Sequence, residues 1–440
     1  MADTPLLTRR DSFKTIAAAT IAAPFVFRKH ATAAPSETLY HASFGAGGMA
    51  GADIGSLTAS KNLKLVAVAD VDLSKANALK AKFPDIRVYE DWRVLLDKEK
   101  ELHSVNVSTP DHMHAPITMR AMQRGLNVYT QKPLTQTIYE ARRLTEVAAE
   151  KKIVSQMGIQ LHSADFHRTI VQSIKDGVIG KVKEVHSWSG KQWGDKNPRP
   201  KKIDKIPDLF DWGGWLGVAE DRPFIAGYYH PGNWRKRLDF GTGTFGDMGC
   251  HILDPVFGAL ELTKPTGIKS VGSSPNEDSW GLDSEVRYTY PGTKNTTETV
   301  TLTWYDGVRR PPMAVVEAIG KHKLPEQGSI YFGTDGVMFS PYGGMPILIG
   351  DNVKDRKLSM VKGDNHYLQF VEACRGNGKT TAPFEYAGPL TETVLLGCLA
   401  TRFPNQELTW DPVKMKVTNV EAANKFVRKA YRKGWEVDGL

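Results

Sequence analysis

Strand-like runs alternate with segments of helical period through the first 160 residues of the chain. The strand-like runs lie at 38–44, 63–72, 104–109 and 127–131. The helical segments lie near 73–83, 90–98, 110–125 and 137–152. Doubly wound α/β proteins are built from this alternation, and they bind ligands at the carboxyl ends of their strands. The pattern therefore predicts an α/β fold with a parallel sheet in an N-terminal domain over 36–160.

The period changes beyond residue 160, where polar and apolar positions alternate along three segments. These segments are 182–190, 282–290 and 297–306. In the third segment one face is apolar and the other carries threonine, at Val300, Leu302, Trp304, Thr299, Thr301 and Thr303. Antiparallel sheets with one packed face show this alternation. It predicts a C-terminal α+β domain over 161–440 with a largely antiparallel open sheet. Closing helices are predicted near 364–376, 388–402 and 417–433.

Length, composition and charge are those of a two-domain globular protein. The chain has 440 residues, of which 41% are apolar and 24% charged, and a single core rarely grows to this size. Five basic and two acidic side chains give the first 33 residues +3 of the net charge of +8. No dense basic run follows, which argues against a nucleic-acid partner. Cys250, Cys374 and Cys398 are too widely spaced for a disulfide framework and are predicted to be buried. His112 and His114 lack a third ligand nearby, so no metal site is predicted.

The first 33 residues carry the features of an export leader. Arg9 and Arg10 precede a thirteen-residue apolar stretch at 15–27, and small residues follow at 31–33. The segment resembles a twin-arginine signal peptide, although Ser12 stands where that pattern usually has phenylalanine. Thirteen residues are too few to cross a bilayer. We therefore predict cleavage and a periplasmic or otherwise exported protein without stable membrane insertion, and a retained amphipathic anchor is the alternative.

A glycine-rich turn follows the first predicted strand directly. Gly45, Gly47 and Ala50 fit the spacing G-x-G-x-x-A, which lets the backbone approach a pyrophosphate at the next helix N-terminus. Asp70 ends the next strand, where an acid binds the adenosine ribose and repels a 2′-phosphate. These features predict NAD as the cofactor, with NADP less favoured. The residues expected to bind it are Gly45, Gly47, Gly48, Met49, Asp70, Ser108, Thr109, Pro110, His114, Gln131 and Lys132.

Candidate acid–base chemistry lies in the segment 240–255. Asp247 and His251 are four residues apart in a predicted helix, so their side chains share one face. Histidine titrates near neutrality, and a neighbouring carboxylate can hold its ring and stabilise its protonated form. Alternatively, Asp247 interacts only with the helix dipole and His251 is a satisfied core histidine. Pro255 lacks the amide that would pair with the His251 carbonyl, which predicts a local kink.

The ordered motifs of the chain resemble those of the Gfo/Idh/MocA oxidoreductases, named for glucose-fructose oxidoreductase and inositol dehydrogenase. The matching motifs are GAGGMA, VADVD, STPDHMH, QKP and DMGCH. The resemblance spans about 40–435 and implies a Rossmann domain, an NAD-dependent reaction, and a second sheet domain that often forms an oligomer interface. It also implies catalytic roles for Lys132, Asp247 and His251. Gln131 stands where the family usually has glutamate, which removes a charge next to Lys132.

An aromatic segment at 208–235 leads into the helix of Asp247. Its rings and donors are Trp212, Trp215, Tyr228, Tyr229, His230, Trp234 and Arg235. Carbohydrate sites combine aromatic faces with fixed hydrogen-bond partners. The alternative is a loop that packs its own aromatic side chains together. The residues expected to contact substrate are Tyr228, Tyr229, His230, Trp234 and Arg235.

These features together predict an NAD-dependent oxidoreductase that acts on a secondary hydroxyl of a sugar, sugar derivative or cyclitol. His251 would take the hydroxyl proton, Lys132 would stabilise the developing alkoxide, and Asp247 would orient substrate or His251. Because an exported enzyme cannot recycle free NAD, the cofactor is expected to stay bound. One alternative is a redox-neutral, NAD-dependent glycosidase, in which Tyr229 or His230 would supply an extra base. Another is an NAD-bound protein without turnover. The C-terminal sheet is a candidate homo-oligomer interface.

Overall fold

The computed structural model of the chain describes residues 38–440. The leader predicted at 1–33 lies outside the described residues. Within 38–440, no helix combines the length and the apolar character that a bilayer crossing requires. Cys250, Cys374 and Cys398 are free and buried, as predicted from their spacing.

A six-stranded parallel sheet forms the centre of the N-terminal part. Its strands are β1 (Leu39–Phe44), β2 (Leu63–Ala69), β3 (Arg87–Tyr89), β4 (Ser104–Val107), β5 (Asn127–Gln131) and β6 (Ser155–Gly158). Their order across the sheet is β3-β2-β1-β4-β5-β6, so the winding reverses between β1 and β4. Ligands of doubly wound sheets bind at this reversal. The predicted α/β fold is confirmed, whereas the short strands β3 and β6 were not predicted because neither carries a long apolar run.

Five helices connect these strands. They are α1 (Met49–Leu57), α2 (Leu73–Ala78), α3 (Trp92–Lys98), α4 (His114–Gln123) and α5 (Ile138–Glu150). Three of these helices have a side chain that caps their N-terminus. Asp72 and Asp91 accept backbone N–H groups at the starts of α2 and α3, and Thr137 and Glu140 form a capping box at the start of α5. The helices therefore begin close to the strand ends, where the ligand-binding loops lie.

An eight-stranded sheet forms the centre of the C-terminal part. Its strands are β7 (Val182–Ser189), β8 (Gly267–Val271), β9 (Glu285–Pro291), β10 (Thr296–Asp306), β11 (Gln327–Gly333), β12 (Val337–Pro341), β13 (Ile347–Ile349) and β14 (Glu407–Leu408). Their order is β13-β12-β11-β7-β10-β9-β8-β14. The sheet is mostly antiparallel as predicted, but β7 and β10 pair in parallel. The long crossover between these two strands permits the parallel pair, and the alternation within each strand carried no sign of it.

Seven helices and a small hairpin complete the described chain. The helices are α6 (Asp165–Lys175), α7 (Trp212–Leu216), α8 (Gly243–Ile252), α9 (Asp254–Leu260), α10 (Met313–Glu317), α11 (His366–Cys374) and α12 (Phe384–Ala400). The hairpin pairs β15 (Trp410–Asp411) with β16 (Lys416–Val417). The helices α11 and α12 correspond to two of the three predicted closing helices.

The helix predicted at 417–433 is wrong. After β16 the chain forms a 3-10 turn at Glu421–Phe426 and then runs irregularly. The backbone N–H of Tyr139 donates to the carbonyl of Val427, and the side chain of Asn424 bonds the backbone of β16. The backbone of Thr418 and Arg432 likewise donates to Thr409 and Val218 instead of to helical partners, and periodicity within the segment cannot reveal these bonds.

The second sheet and α12 together fix the helix α8. Phe245 of α8 stacks on Trp304 of β10 with ring centroids 4.7 Å apart. Trp304 lies on the apolar face that the sequence predicted, and Trp304 is fully buried. On the other side, a Cβ at Gly397 of α12 would lie 2.1 Å from the Phe245 ring, so this contact requires glycine. The position of α8 therefore depends on the core of the C-terminal part.

Six buried histidines make the fold sensitive to acid. Burial lowers the pKa to about 4 for His41, His114, His167 and His366, to about 3 for His251, and well below the usual value for His112. Histidine in the unfolded chain titrates near about 6.5. Below that pH the unfolded chain therefore binds more protons than the folded chain. Asp111 and Asp306 act in the opposite direction, because burial raises their pKa values to about 7 and about 6.

We expect the free energy of unfolding to fall as the pH is lowered from about 7.5 to about 5. Six histidines gain a proton on unfolding, against four carboxyl groups whose pKa values burial raises, namely Asp53, Asp70, Asp111 and Asp306. The difference is a net uptake of at least about two protons. Each contributes on the order of 1 kcal/mol per pH unit, so the loss should reach several kcal/mol. Urea unfolding at the two pH values measures it. Equal or greater stability at the lower pH would contradict this interpretation of the buried histidines.

Candidate active site

A cavity of about 520 Å³ opens at the carboxyl ends of the central strands of the first sheet. It extends from the glycine turn after β1 to the helix α8. The predicted site residues that line it are Gly45, Gly47, Gly48, Met49, Asp70, Ser108, Thr109, Pro110, His114, Gln131, Lys132, His230, Trp234, Arg235, Asp247 and His251. The structure thus brings the predicted dinucleotide site and the predicted catalytic residues to one cavity.

The turn after β1 has the backbone that a pyrophosphate site needs. Gly45 has a φ of 99°, and a Cβ there would lie 2.8 Å from the carbonyl oxygen of Ser108, so the two loops can approach only at a glycine. Gly48 has a φ of 55°, and no atom lies within 4 Å of the position that its Cβ would take. The start of α1 therefore faces open space where an anion can be received. The turn fits a dinucleotide such as NAD.

Asp70 closes this turn from the neighbouring strand. Its Oδ2 accepts a hydrogen bond from the Ala46 amide at 2.8 Å, and its Oδ1 accepts one from the Asp72 amide at 2.9 Å. Burial raises the pKa of Asp70. Asp72, Glu90 and Lys75 also line the cavity, whereas its other cations, Lys132, Lys191 and Arg235, pair with Asp247. This excess of carboxyl groups disfavours the 2′-phosphate of NADP and so favours NAD.

Replacing Asp70 by asparagine should weaken the preference for NAD over NADP. Asparagine keeps an acceptor oxygen for the turn but removes the charge that repels a 2′-phosphate. We expect the ratio of the two affinities to fall by on the order of 10-fold, measured by fluorescence titration of both nucleotides on cofactor-free protein. The exposed Asp85 is the matched control, and its replacement by asparagine should leave the ratio unchanged. An unchanged ratio in the Asp70 variant would exclude a discriminating role for this carboxylate.

The loops after β4 and β5 are tied together beside the cavity. His114 Nδ1 lies 2.8 Å from the carbonyl oxygen of Pro133, and its Nε2 lies 2.8 Å from that of Thr109. Burial lowers the pKa of His114 to about 4, so the neutral ring donates its one N–H to one carbonyl at a time. The Thr109 hydroxyl is buried without a hydrogen-bond partner among residues 38–440. It therefore offers a free polar group to a bound nucleotide.

A buried carboxylate that the sequence pattern did not single out lies beside Gln131. Asp53 of α1 accepts hydrogen bonds from Gln131 Nε2 at 2.9 and 3.0 Å, from Ser108 Oγ at 2.7 Å and from Tyr367 Oη at 2.9 Å. Burial raises the pKa of Asp53. The site thus holds a carboxyl group next to position 131, although glutamine stands there. The sequence feature that could have revealed Asp53 is an acidic residue within the otherwise apolar helix that follows the glycine turn.

Asp247 of α8 is the centre of a charge cluster in the cavity. Lys132 Nζ donates to Oδ1 and to the backbone carbonyl of Asp247, each at 2.7 Å. Lys191 Nζ and Trp193 Nε1 donate to Oδ2 at 3.2 and 2.9 Å, and Arg235 Nε donates to Oδ1 at 3.3 Å. Burial alone would raise the pKa of Asp247, but the three cations hold it far below its usual range. The excess of positive charge suits a bound oxygen that becomes negative.

Lys191 and Trp193 were not predicted as site residues. They follow β7 in a segment without regular period, and both line the cavity. Their partner Asp247 lies more than fifty residues later in the chain. Nothing in their local spacing indicates the pairing, which depends on how the second sheet packs against α8.

His251 lines the cavity one helical turn after Asp247, but no hydrogen bond joins the two side chains in the described part of the chain. The Asp247 carboxylate accepts hydrogen bonds from Lys132 and Lys191. His251 Nδ1 is buried without a partner among the described residues. Burial, and then the charge of Lys132, lowers the pKa of His251 to about 3. The expectation of an Asp-held histidine that titrates near neutrality is therefore wrong. The unprotonated ring is instead an acceptor at neutral pH.

The helix that carries Asp247 is interrupted directly after His251. The helix α8 ends at Ile252, and α9 begins at Asp254 with Pro255 in its first turn. Proline cannot donate to a preceding carbonyl, so the helical ladder breaks there. The predicted interruption is confirmed.

Asp111 is an ionisable group of the cavity that was not predicted from sequence. It is 4% exposed, lines the cavity, and accepts a hydrogen bond from Thr242 Oγ1 at 2.7 Å. Burial raises the pKa of Asp111 to about 7. This carboxyl group therefore exchanges its proton near neutral pH, which His251 does not. Asp111 directly follows the predicted site residue Pro110, but no motif in the sequence singled it out.

The aromatic segment contributes part of the cavity wall. Trp215, His230, Trp234 and Arg235 line the cavity, and the Arg235 guanidinium lies 4.3 Å from the Trp234 ring. His230 Nε2 lies 3.6 Å from a carboxylate oxygen of Asp72. Flat rings and charged donors therefore face the space next to the charge cluster, as a carbohydrate site requires.

The two tyrosines of this segment do not reach the cavity. Tyr229 is 1% exposed and packs against Trp212 and Phe240 with ring centroids 5.4 and 5.3 Å away. Tyr228 is covered by the guanidinium of Arg237 at 3.5 Å. Tyr228 and Tyr229 were expected to contact substrate, but they pack within their own loop, as the alternative interpretation held. They support the wall behind the residues that face the cavity.

Two family models match the chain. The Gfo/Idh/MocA model described as an oxidoreductase family, NAD-binding Rossmann fold, matches residues 41–159. The companion model, described as an oxidoreductase family, C-terminal alpha/beta domain, matches residues 168–302. Together the two models cover more than half of the chain.

Curated relatives and solved structures agree with these matches. Levoglucosan dehydrogenase from Pseudarthrobacter phenanthrenivorans is 24% identical over 192 residues, which are 43% of this chain and 40% of that protein. D-glucoside 3-dehydrogenase from Escherichia coli is 30% identical over 152 residues, 34% of this chain and 43% of that protein. The matches thus span less than half of either relative. The WlbA dehydrogenase from Bordetella pertussis, solved with NADH and UDP-GlcNAcA, has the same fold, with a TM-score of 0.60 at 12% identity over 85% of this chain and 98% of that chain.

Proposed function

The chain belongs to the Gfo/Idh/MocA oxidoreductase family, and we propose that it is an NAD-dependent enzyme for a secondary hydroxyl of a sugar, sugar derivative or cyclitol. The observation that carries the proposal is the shared cavity. The glycine turn, Lys132, Asp247 and His251 all line it. A site for hydride transfer needs a nucleotide and an acid–base group at one place, and this cavity offers both.

Each residue of the charge cluster has a distinct part in the proposed reaction. NAD, when bound, supplies the acceptor and donor of hydride. The Lys132 ammonium has three N–H groups, and two of them are used by Asp247. The third is free to bind the substrate oxygen and stabilise its developing charge. His251 is unprotonated at neutral pH, and its unpaired Nδ1 can accept the hydrogen bond of the substrate hydroxyl. Because a pKa of about 3 makes the ring a weak base, the proton passes to it only as hydride leaves the carbon and the hydroxyl becomes acidic. Asp247 holds Lys132 in place.

The cavity wall and the relatives support a carbohydrate substrate. Trp215 and Trp234 line the cavity with apolar ring surface that suits C–H groups, and Arg235 and Lys191 offer donors for hydroxyl groups. The two curated relatives named above are dehydrogenases of levoglucosan and of D-glucosides. By analogy, we propose a pyranose or cyclitol ring as the substrate class.

Recovery of the cofactor tests the proposal. The protein is purified without added nucleotide, denatured, and the supernatant is analysed by mass spectrometry. We expect NAD or NADH in an amount close to one per chain. Protein that carries no nucleotide and also fails to bind added NAD would exclude the proposed function.

A redox-neutral glycosidase is the second candidate, and Asp111 favours it. Such a reaction needs an additional base, which removes the proton next to the oxidised carbon before the aglycone leaves. Of the bases considered from sequence, Tyr229 lies outside the cavity and His230 lines it. Asp111 lines the same cavity with a pKa raised to about 7 by burial, which suits this role. Aryl glycosides incubated without added NAD distinguish the candidates, because only the glycosidase releases aglycone without net NADH. Asp111→Asn should abolish that release.

Export by the twin-arginine route is part of the proposal. The leader predicted at 1–33 would carry the folded protein across the membrane with NAD already bound. Fractionation of cells that produce the full chain should recover it from the periplasm. Replacement of both Arg9 and Arg10 by lysine should retain it inside the cell, and periplasmic recovery of that variant would contradict this route.

We further propose that the open face of the eight-stranded sheet forms a homo-oligomer interface. This face carries exposed polar side chains, including Lys269, Arg287 and Thr299. Light scattering coupled to size-exclusion chromatography measures the mass in solution. A monomer at all concentrations would exclude the interface.

A further inference from the structure

We propose that His162, His167 and Asp254 bind a divalent transition-metal ion at a site separate from the catalytic cavity. We call these three residues the His–Asp cluster. His162 lies in a 3-10 turn at Gln160–Ser163, His167 lies in the first turns of α6, and Asp254 begins α9. One nitrogen or oxygen ligand atom from each residue lies within 4.8 Å of the others. Two imidazoles and a carboxylate are a ligand set that such ions accept.

The distances within the His–Asp cluster suit one ion. His162 Nδ1 lies 2.9 Å from Asp254 Oδ2, and His167 Nε2 lies 3.5 Å from the same oxygen. A tetrahedral ion with bonds of about 2.0 to 2.1 Å separates its ligand atoms by about 3.3 Å. The observed separations bracket that value. An ion can therefore enter with only small movements of the side chains.

A buried nitrogen without a partner also points to a ligand. His167 is 3% exposed, and its Nε2 has no hydrogen-bond partner among residues 38–440. A buried polar atom left unpaired is costly, and a bound ion would satisfy it. The neighbouring His366 differs, because its two ring nitrogens already bond Ser163 Oγ and the carbonyl of Met157. An ion at the His–Asp cluster would therefore satisfy a buried nitrogen that the described residues leave unpaired.

The His–Asp cluster is reachable from the surface. A second cavity of about 520 Å³ is lined by His162 and His167 but not by the residues of the charge cluster. The cavity adjoins both imidazoles, so water from it can supply a fourth ligand. Two cations, Lys175 and Arg168, line this cavity; Lys175 is paired with Glu261 at 3.5 Å, and Arg168 donates to the carbonyl of Lys362. Imidazole nitrogen with one carboxylate favours zinc, cobalt or iron over magnesium or calcium.

The His–Asp cluster lies directly behind the helix break of the active site. Asp254 follows His251 by three residues, on the far side of the interruption between α8 and α9. An ion held by His162, His167 and Asp254 would tie α6 to this break. Its effect on the catalytic helix would therefore be one of positioning, and binding of the ion does not depend on the proposed reaction.

Metal titration of the dialysed protein tests the proposal. The full chain, prepared without a histidine tag and stripped with a chelator, is titrated with Zn²⁺ by calorimetry and with Co²⁺ by visible absorption. We expect one ion per chain and the strong absorption of four-coordinate Co²⁺. His167→Phe keeps a ring of similar size but has no ligand atom, and it should weaken binding by at least about 100-fold. The melting temperature should rise with Zn²⁺ in the wild-type protein but not in this variant.

A second ligand variant and a control variant complete the test. Asp254→Asn should lose the ion in the same way, and it decides the question if His167→Phe does not fold. His322→Phe is the matched control, because His322 is partly exposed and its ring lies against Phe339 outside the His–Asp cluster. It should bind as the wild-type protein does. Wild-type protein that takes up no ion, or folded cluster variants that bind it unchanged, would overturn the proposal.

Discussion

Replacing His251 by glutamine should lower turnover by about 100- to 10,000-fold while NAD remains bound. His251 lines the cavity and is unprotonated at neutral pH, because burial and Lys132 lower its pKa to about 3. Glutamine occupies similar space but cannot accept the proton that leaves the substrate hydroxyl. Turnover is measured with the substrate that reduces the wild-type protein, and bound nucleotide is counted after denaturation.

A distant histidine provides the control for this result. His322 lies outside the cavity, and His322→Gln should keep the wild-type rate. Loss of nucleotide from His251→Gln would show that the ring supports the nucleotide site rather than the reaction. Full turnover with nucleotide retained would mean that another group, such as Asp111, takes the proton.

Replacing Asp247 by asparagine should lower the free energy of unfolding by about 3 to 5 kcal/mol and also reduce turnover. The Asp247 side chain is 8% exposed and that of Lys132 is 14% exposed. Asparagine would leave the partly buried Lys132 without its charge partner, with Lys191 and Arg235 close by. Urea unfolding at neutral pH measures the loss.

An exposed ion pair shows how much of this loss comes from burial. Asp221 is 85% exposed and pairs with Arg432 at 3.0 Å. Asp221→Asn should cost less than about 1 kcal/mol, because exposed pairs contribute little. An Asp247 variant as stable as the Asp221 variant would contradict the view that one carboxylate compensates the three cations. In that case the lysine would have to be neutral or paired elsewhere.

Local pattern was enough to predict most of the fold. The strands β1, β2, β4 and β5 carry long buried runs, and the turns and caps between them are encoded by neighbouring residues. The failures depend on contacts between distant segments. The parallel pairing of β7 with β10 follows from the crossover between them. Residues 417–433 lose their helix because their backbone bonds to other parts of the chain.

The sequence was enough to predict where the site lies, but not which charged groups pair there or how their pKa values shift. The turn at Gly45 and the strand end at Lys132 line the cavity because parallel topology brings strand ends together. The partners of Asp247 come from three separate segments, so its pairing with Lys132 and Lys191 could not be predicted from a four-residue spacing. Likewise, the lowered pKa of His251 comes from burial, which the sequence of one helix does not reveal.

The most direct test of the proposed function follows hydride into the bound nucleotide. The purified protein is incubated with single perdeuterated sugars and cyclitols, without added NAD, and the nucleotide released by denaturation is weighed by mass spectrometry. The proposed reaction predicts that at least one compound transfers a single deuterium to the nicotinamide ring, and that His251→Gln prevents the transfer. Stoichiometric NAD that gains no deuterium from any member of a broad panel would contradict the proposal that this cavity oxidises a carbohydrate hydroxyl.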